Sequence, residues 1–338
     1  MEKEARIIPR SPAPGHVPPW RKALAEAITD PDELLRLLEL PPEPGARLGH
    51  GLFPTRVPRG FAARMQRGER RDPLLLQVLP VARETERVAG FVTDPLDELA
   101  RMPVPGLLHK YRGRVLLTAT GACAVHCRYC FRRHFPYPEA NPGRDQWHRA
   151  LDYIGSDTSI REVILSGGDP LSLSDRRLAG LVERLEAIPH LKRLRLHSRL
   201  PVVVPQRVDD ELTGWLARTR LKTVLVIHCN HARELDDAVR AALGRLATTG
   251  ILLLNQAVLL RGINDCPETQ AALAEALFEA GVLPYYLHQL DPVQGAAHFS
   301  VPDDEARRLI SALGHALPGY LVPRLIRELP GAAAKTPL

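Results

Sequence analysis

The feature that most limits how this chain folds is a series of short β-rich runs separated by helical runs. Six of them follow residue 110: VLLTAT from Val115, EVILSGG from Glu162, RLRLHS from Arg193, TVLVIHCN from Thr223, ILLLNQAVLL from Ile251 and PYYLHQL from Pro284. After the first run they start at intervals of roughly 30 residues, the length of one strand, one helix and two loops. Continuous apolar strands are typical of parallel sheets covered on both faces. The pattern therefore predicts an α/β fold with six β/α units.

The helical runs between the strands carry start and stop signals. In the run after the second strand, Ser174 is placed to cap a helix and Pro189 to end it. Between them, apolar residues recur at the spacing of one helix face, at Leu178, Leu181, Val182, Leu185 and Ile188. This run is therefore predicted to be a helix with one buried face.

The first 105 residues differ in character from the rest. Residues 1 to about 20 are rich in proline and predict an extended arm. A helix is predicted next, with Thr29 or Asp30 as its cap, Pro31 in its first turn, and an apolar face of Leu34, Leu35, Leu37 and Leu38. Short helical pieces then alternate with Pro/Gly breaks, which predicts a helical segment packed on a larger domain.

Polar residues gather where each predicted strand ends. They lie at positions 123–130, 166–169, 197–199, 228–230, 261–265 and 288–291. In parallel α/β architectures the reactive centre lies at the carboxyl ends of the strands. We therefore expect one opening of the fold to collect all six clusters.

The first cluster holds three cysteines in a C-x3-C-x2-C array, Cys123, Cys127 and Cys130. A structural zinc site normally has four protein ligands, so His126 or His134 would have to complete one here. A [4Fe-4S] cluster held by three thiolates instead leaves one iron open to an external ligand, and the spacing favours this cluster. The remaining cysteines, Cys229 and Cys266, are predicted to lie in the core or directly behind the residues that form the site.

Composition excludes some classes of protein. No apolar run reaches the roughly 18 to 20 residues that cross a bilayer, and the N-terminus lacks the pattern of a secretory signal. We therefore expect a cytosolic protein whose five cysteines are thiols. The net charge of +6 is compatible with nucleic acid, but the arginines are scattered and suit small anionic ligands at least as well.

The cysteine motif resembles that of the radical S-adenosylmethionine (SAM) superfamily, in which SAM chelates the open iron and is cleaved to a 5′-deoxyadenosyl radical. SGGDPL at 166–171 resembles the segment that receives the SAM amino group. On this resemblance Ser166, Gly167, Gly168 and Asp169 contact SAM, and glycine lets a backbone approach a ligand closely.

Longer stretches are similar to the lysine 2,3-aminomutase family from about residue 100 onward: PGLLHKYRGRVLLTATGACAVHCRYCFRRHF, NQAVLLRGINDC, PYYLHQLD and GAAAKTPL. The resemblance implies a partial (β/α)6 barrel over 106–316. It also implies an N-terminal arm and helical segment over 1–105, and a tail over 317–338 that returns to the barrel mouth. Family members bind pyridoxal 5′-phosphate (PLP) as a Schiff base to a lysine of this tail, which makes Lys335 the PLP lysine.

Further residues are carried over by the same match. Tyr111, Arg114 and Lys110 correspond to the segment that holds the PLP phosphate or ring, although the family has arginine at the position of Lys110. His228, Asn255 and Gln256 correspond to positions near SAM and PLP, and are equally compatible with satisfied polar groups at strand ends.

Substrate contacts are implied at three positions. Arg132 corresponds to the arginine that grips the substrate carboxylate, a task suited to a planar two-pronged donor. Asp291 and Glu328 correspond to the acidic pair around the ε-ammonium of lysine; the family has aspartate at the second position. A buried cation requires such acidic partners, so the pair favours L-lysine as substrate.

The implied activity is a SAM- and PLP-dependent 1,2-amino shift that converts L-lysine to β-lysine. Longer members carry C-terminal cysteines that bind zinc together with the thiol of RGxNDC. This chain keeps Cys266 but ends at Leu338, so we expect no zinc.

The short form resembles the mutase that makes (R)-β-lysine for elongation factor P. That resemblance implies a cytosolic electron donor and an indirect link to elongation factor P and its ligase, and it leaves a homo-oligomer open. Two alternatives are a radical SAM enzyme that modifies RNA or protein without PLP and a zinc-binding interaction module.

Overall fold

The computed structural model describes residues 17–137 and 147–338. Its centre is a nine-stranded sheet in which each strand pairs with the next along the chain. The strands are β1 Leu107–Tyr111, β2 Arg114–Thr120, β3 Glu162–Gly167, β4 Arg193–Ser198, β5 Lys222–Ile227, β6 Leu252–Val258, β7 Leu283–His288, β8 Arg324–Arg327 and β9 Thr336–Pro337.

Strands β2 to β8 run parallel to one another. The six predicted strands are confirmed as β2 to β7, within a few residues at each end, and the α/β class is confirmed with them. Three strands were not predicted. β1 forms an antiparallel hairpin with β2 through Gly113, whose φ of 77° favours glycine. β8 and β9 form a second antiparallel hairpin, and each is too short to give a periodic signal.

Helices cover the strands and build the N-terminal segment. They are α1 Pro19–Ala25, α2 Pro31–Leu37, α3 Ala46–Leu52, α4 Arg59–Ala62, α5 Pro73–Leu76, α6 Trp147–Ser156, α7 Asp175–Glu186, α8 Leu200–Val203, α9 Asp210–Arg218, α10 Asp237–Ala247, α11 Pro267–Glu279 and α12 Asp303–Ala316. Because β3 is buried along its whole length, both faces of the sheet are covered at this strand. In the part of the chain that the structure describes, no helix is both long and apolar enough to cross a membrane.

The two helices predicted in detail are present. Ser174 stands at the N-cap of α7 without a side-chain hydrogen bond, and the predicted leucines and valine of that helix are buried. Ile188 lies beyond its end. In α2, Asp30 is the cap: its Oδ1 accepts from the backbone N of Asp32 at 3.0 Å.

The prediction for Leu37 in α2 was wrong, because this side chain is 39% exposed. Leu34, Leu35 and Leu38 fall within one stripe about 100° wide. Leu37 lies outside that stripe and faces solvent. The arm predicted over 1 to about 20 lies almost wholly outside the described residues.

The N-terminal segment is anchored to the cysteine loop (121–137) by a buried ion cluster. Glu84, in a 3-10 turn at Ala82–Thr85, accepts from Nε of Arg128 at 2.8 Å and from Nη2 of Arg133 at 2.6 Å. All three side chains are fully buried. Arg128 also donates to the carbonyl oxygens of Phe53 at 2.7 Å and Gly49 at 3.0 Å. The helical segment therefore holds the loop that carries the three cysteines.

We predict that Glu84→Gln destabilises the protein by about 3 kcal/mol, because it leaves two buried guanidinium groups without an anionic partner. Urea unfolding monitored by circular dichroism measures the loss of stability, which appears as a lower urea midpoint. Glu86→Gln, an exposed position two residues away, is the matched control and is expected to stay within about 0.5 kcal/mol of the parent. Equal midpoints for both variants would contradict the anchoring role.

Candidate active site

A cavity of about 350 Å³ lies at the carboxyl ends of the parallel strands. All but one of the site residues predicted from the sequence line it: Lys110, Tyr111, Arg114, Cys123, Cys127, Cys130, Arg132, Ser166, Gly167, Gly168, Asp169, His228, Gln256, Asp291, Glu328 and Lys335. Asn255 faces elsewhere, and its amide exchanges hydrogen bonds with the backbone of Cys229 at 2.9 and 3.0 Å. The structure therefore brings together the predicted set, apart from Asn255, while the binding roles of its members stay predictions.

The three cysteines stand in the loop that follows β2. Burial chiefly, and the neighbouring thiols next, raise the pKa of Cys130 to about 11 and that of Cys123 well above its usual range. Thiolates here therefore need a cationic partner, which fits an iron–sulfur cluster. Among residues 17–137 and 147–338, no three metal-binding side chains converge as the ligands of a single ion would.

His126 and His134, the candidate fourth ligands of a zinc site, have other hydrogen-bond partners. Nδ1 of His126 donates to the carbonyl oxygen of Pro54 at 2.8 Å, and Nε2 of His134 donates to that of Gln294 at 3.1 Å. Cys127 instead has a cationic neighbour, because Nη1 of Arg199 donates to its Sγ at 2.7 Å. The loop thus favours three separate thiolates over a closed Cys3His site.

The glycine pair after β3 packs against the cysteine loop. A Cβ on Gly167, whose φ is 118°, would lie 2.5 Å from the carbonyl oxygen of Thr120, and one on Gly168 would lie 2.7 Å from the carbonyl carbon of Gly121. The backbone N of Gly168 donates to Thr120 O at 2.7 Å. Close approach of two backbones, and not only approach of a ligand, therefore requires glycine here.

Asp169 has a supporting role in this geometry. Its carboxylate accepts from Ser198 Oγ at 2.7 Å and from the backbone N of Leu171, Arg199 and Leu200 at 2.8 to 3.1 Å. These bonds fix the start of the turn after β3 and the loop after β4. Asp169 therefore shapes the cavity wall, and its carboxylate oxygens already accept hydrogen bonds from the protein.

A chain of alternating charges crosses the cavity. Both oxygens of Glu98 accept from Arg132, at 2.7 Å from Nε and 2.9 Å from Nη2, and Oε1 also pairs with Nζ of Lys110 at 3.0 Å. Lys110 donates to Oε1 of Glu328 at 2.9 Å, and Lys335 donates to Oε2 of Glu328 at 2.8 Å. Because Lys110 lies on β1 and Glu328 directly follows β8, these ion pairs join the two margins of the sheet.

The β8–β9 hairpin fixes Lys335 in the cavity. Glu328 is the residue after β8 and Lys335 the residue before β9, while Arg327 pairs with Thr336 across the hairpin. The side chain of Lys335 is 20% exposed, and its Nζ lies 5.7 Å from the ring centre of Tyr286. Although burial opposes it, the two lysine ammonium groups hold the pKa of Glu328 far below its usual range. Lys335 is therefore held in the cavity by an ion pair and lies close to an aromatic ring.

Asp291 is the acidic group of the cavity whose charge is least compensated. Burial chiefly, and then the Glu328 carboxylate, raise its pKa to about 7, and its Oδ1 is buried without a partner among the described residues. An added cation at this position would therefore be stabilised.

Three histidines, His197, His228 and His288, form another part of the wall, at the ends of β4, β5 and β7. Burial lowers the pKa of each, to about 3 for His228, and Lys335 contributes to the lowering in all three. Gln256 Nε2 lies 3.3 Å from His228 Nε2. These imidazoles are therefore neutral and offer hydrogen bonds without charge.

Several residues that line the cavity were not predicted from the sequence to be site residues. No motif in the sequence points to Glu98, because DELAR at 97–101 has the pattern of an ordinary exposed helical turn. Tyr137, whose Oη donates to Gly167 O at 2.8 Å, carried no motif. The strand-end pattern did mark the clusters that contain Arg199, His197 and His288.

We predict that Gly168→Ala destabilises the protein by about 1–3 kcal/mol, since its Cβ meets backbone that cannot yield easily. Gly180→Ala is the control, because it lies within α7 where nothing stands within 4 Å of the added Cβ. That change should be neutral or stabilise by up to about 1 kcal/mol. Urea midpoints check both, and a Gly168→Ala midpoint at or above that of the parent would contradict the backbone contact.

The sequence of this chain was compared with protein families and with proteins of known function. No protein family model matches the chain. It is 52% identical over 322 residues to the L-lysine 2,3-aminomutase of Escherichia coli (strain K12), covering 94% of each protein. It is 49% identical over 334 residues to that of Haemophilus influenzae, covering 98% of each.

A solved structure of Streptococcus suis SuiB bound to S-adenosylmethionine aligns with a TM-score of 0.49 at 15% identity, over 68% of this chain and 53% of that one. That similarity is too distant to bear on function. The identity to the aminomutases, by contrast, extends over nearly the full length of both proteins. The chain is therefore an isomerase of the L-lysine 2,3-aminomutase family.

Proposed function

We propose that this protein converts L-α-lysine to β-lysine by moving the amino group from Cα to Cβ, with a [4Fe-4S] cluster, SAM and PLP as cofactors. The observation that carries the proposal is that one cavity holds both a three-cysteine loop and a lysine anchored by Glu328. A radical SAM enzyme that modifies RNA or protein without PLP is not favoured, because the relatives are aminomutases.

The residues present fit the three cofactors. Cys123, Cys127 and Cys130 would hold the cluster, and Ser166 to Asp169 with His228 and Gln256 would surround SAM. Lys335 would hold PLP, with Tyr111, Arg114 and Lys110 at its ring or phosphate. The guanidinium of Arg114 lies 4.7 Å from the centre of the Tyr111 ring, which keeps a cation and an aromatic face together. When bound, the cluster and SAM supply a carbon-centred radical and PLP supplies a π-bond through which nitrogen can migrate.

Charge supports L-lysine as the substrate. Arg132 would hold the α-carboxylate, and Asp291 with Glu328 would hold the ε-ammonium. In the structure Glu328 is paired with Lys335, so the nitrogen of Lys335 must leave that carboxylate before a substrate ammonium can replace it. A substrate that displaces water from the cavity would strengthen these contacts.

Finer points of the proposal rest on the sequence resemblance. We propose that the product is the R form, that it serves the modification of elongation factor P, and that a cytosolic donor reduces the cluster.

We predict that Lys335→Ala abolishes formation of β-lysine and loses bound PLP while its iron content stays at the parent level, because Nζ is the attachment point and lies outside the cysteine loop. Absorbance of bound PLP, iron analysis and product chromatography measure the three quantities. Lys192→Ala, an exposed lysine directly before β4, should match the parent in all of them. Turnover at the parent rate by Lys335→Ala would contradict the assignment.

We also predict that KM for L-lysine rises roughly tenfold as the pH falls from about 8 to about 6, while Asp291→Asn has a high KM with little pH dependence. The pKa of Asp291 is raised to about 7, so the carboxyl group gains a proton and loses its negative charge below that pH. Initial rates at saturating SAM and PLP measure KM across the range. A parent KM that is constant over this range would contradict the role of Asp291.

A further inference from the structure

Glu98 lies between Arg132 and Lys110 in the charge chain, yet neither the sequence motifs nor the proposed chemistry uses it. We propose that Glu98 is a positioning residue: it fixes the guanidinium of Arg132 so that one chosen edge is left for a substrate carboxylate. The inference rests on the proposed function for the identity of that substrate.

The contacts of Glu98 are those of a fully engaged buried carboxylate. Its side chain is 3% exposed, and it accepts two hydrogen bonds from Arg132 and pairs with Lys110. Two-pronged pairs of this kind fix the plane of a guanidinium as well as its position. The geometry therefore determines where Arg132 points.

The charge of Glu98 is fixed as well. Burial alone would raise its pKa, but Arg132 and Lys110 outweigh burial and hold the pKa below its ordinary value. With its carboxylate engaged by Arg132 and Lys110, Glu98 serves to orient the guanidinium and is not assigned acid–base chemistry.

Glu98 occupies one edge of the Arg132 guanidinium and leaves the other edge available to a ligand. The edge formed by Nε and Nη2 is taken by the carboxylate. On the remaining edge, Nη1 donates to Ser166 Oγ and to Gly167 O, each at 3.3 Å, which is long for such bonds. A carboxylate is a stronger acceptor than either neutral oxygen and can replace them. Arg132 is thus prepared to bind one further anion, at the end of β3.

Two aromatic rings lie close to the guanidinium. Its central carbon lies 5.0 Å from the ring centre of Phe131 and 5.7 Å from that of Phe135. Cation–π contacts of this length attract the group and help to hold its position, while Glu98 fixes its plane. Such pre-orientation improves binding because less freedom is lost when the substrate arrives.

The test compares Glu98→Gln, Arg132→Gln and the double variant with the parent, each loaded with its cluster and saturated with PLP. Titration calorimetry with L-lysine, without SAM or reductant, measures binding in the absence of turnover. We expect Glu98→Gln to weaken binding about tenfold. Because Glu98 acts through Arg132, the double variant should lose no more than Arg132→Gln alone. In turnover, Glu98→Gln should raise KM while kcat changes less than about threefold.

Asp97→Asn is the matched control, since it removes a neighbouring exposed carboxylate that pairs with no cation in the described part of the chain. Its φ of 49° is one that asparagine tolerates. It should bind L-lysine as the parent does.

Parent-like binding by Glu98→Gln, or additive losses in the double variant, would overturn the inference while leaving the proposed function standing. A parent protein that binds L-lysine but forms no β-lysine would contradict the function and leave the Glu98 comparison intact. A parent that does not bind L-lysine would overturn both.

Discussion

The interaction on which the site depends is the chain of ion pairs from Arg132 through Glu98, Lys110 and Glu328 to Lys335. Three cations and two anions leave a net charge of +1 in a largely buried space, where an unpaired charge is costly. The chain links the N-terminal segment, β1, the cysteine loop and the β8–β9 hairpin. The cavity is therefore held together by the same side chains that are placed to receive an amino acid.

The N-terminal segment belongs functionally to this arrangement. It supplies Glu98 to the cavity, and it supplies Glu84 to the buried arginines of the cysteine loop. Gln77 extends the same pattern, because it accepts from Arg199 at 2.6 Å while Arg199 contacts Cys127. The N-terminal segment therefore contributes charge and hydrogen bonds to the loop that carries the cysteines.

The apolar runs predicted six of the seven parallel strands, although β3 is buried along its whole length while β4 and β6 alternate between buried and more accessible residues. Strand-end polarity predicted that the site residues meet in one cavity. The rest depends on tertiary contacts that leave no local signal. Leu37 faces solvent because of its angle on a short helix, and the β8–β9 hairpin is held by its neighbours more than by propensity. Glu98 is identified only by its partners. The glycine pair was recognised, although the contact between backbones that requires it was not visible in the sequence.

The central claim is that one cavity supports a radical 1,2-amino shift on L-lysine. The measurement that tests it most directly is anaerobic incubation of the reconstituted protein with SAM, PLP, a reductant and L-lysine, followed by chiral chromatography of the products. The account predicts β-lysine, in the R form, formed only when all four components are present. A protein with an intact cluster that yields no β-lysine of either hand would contradict it.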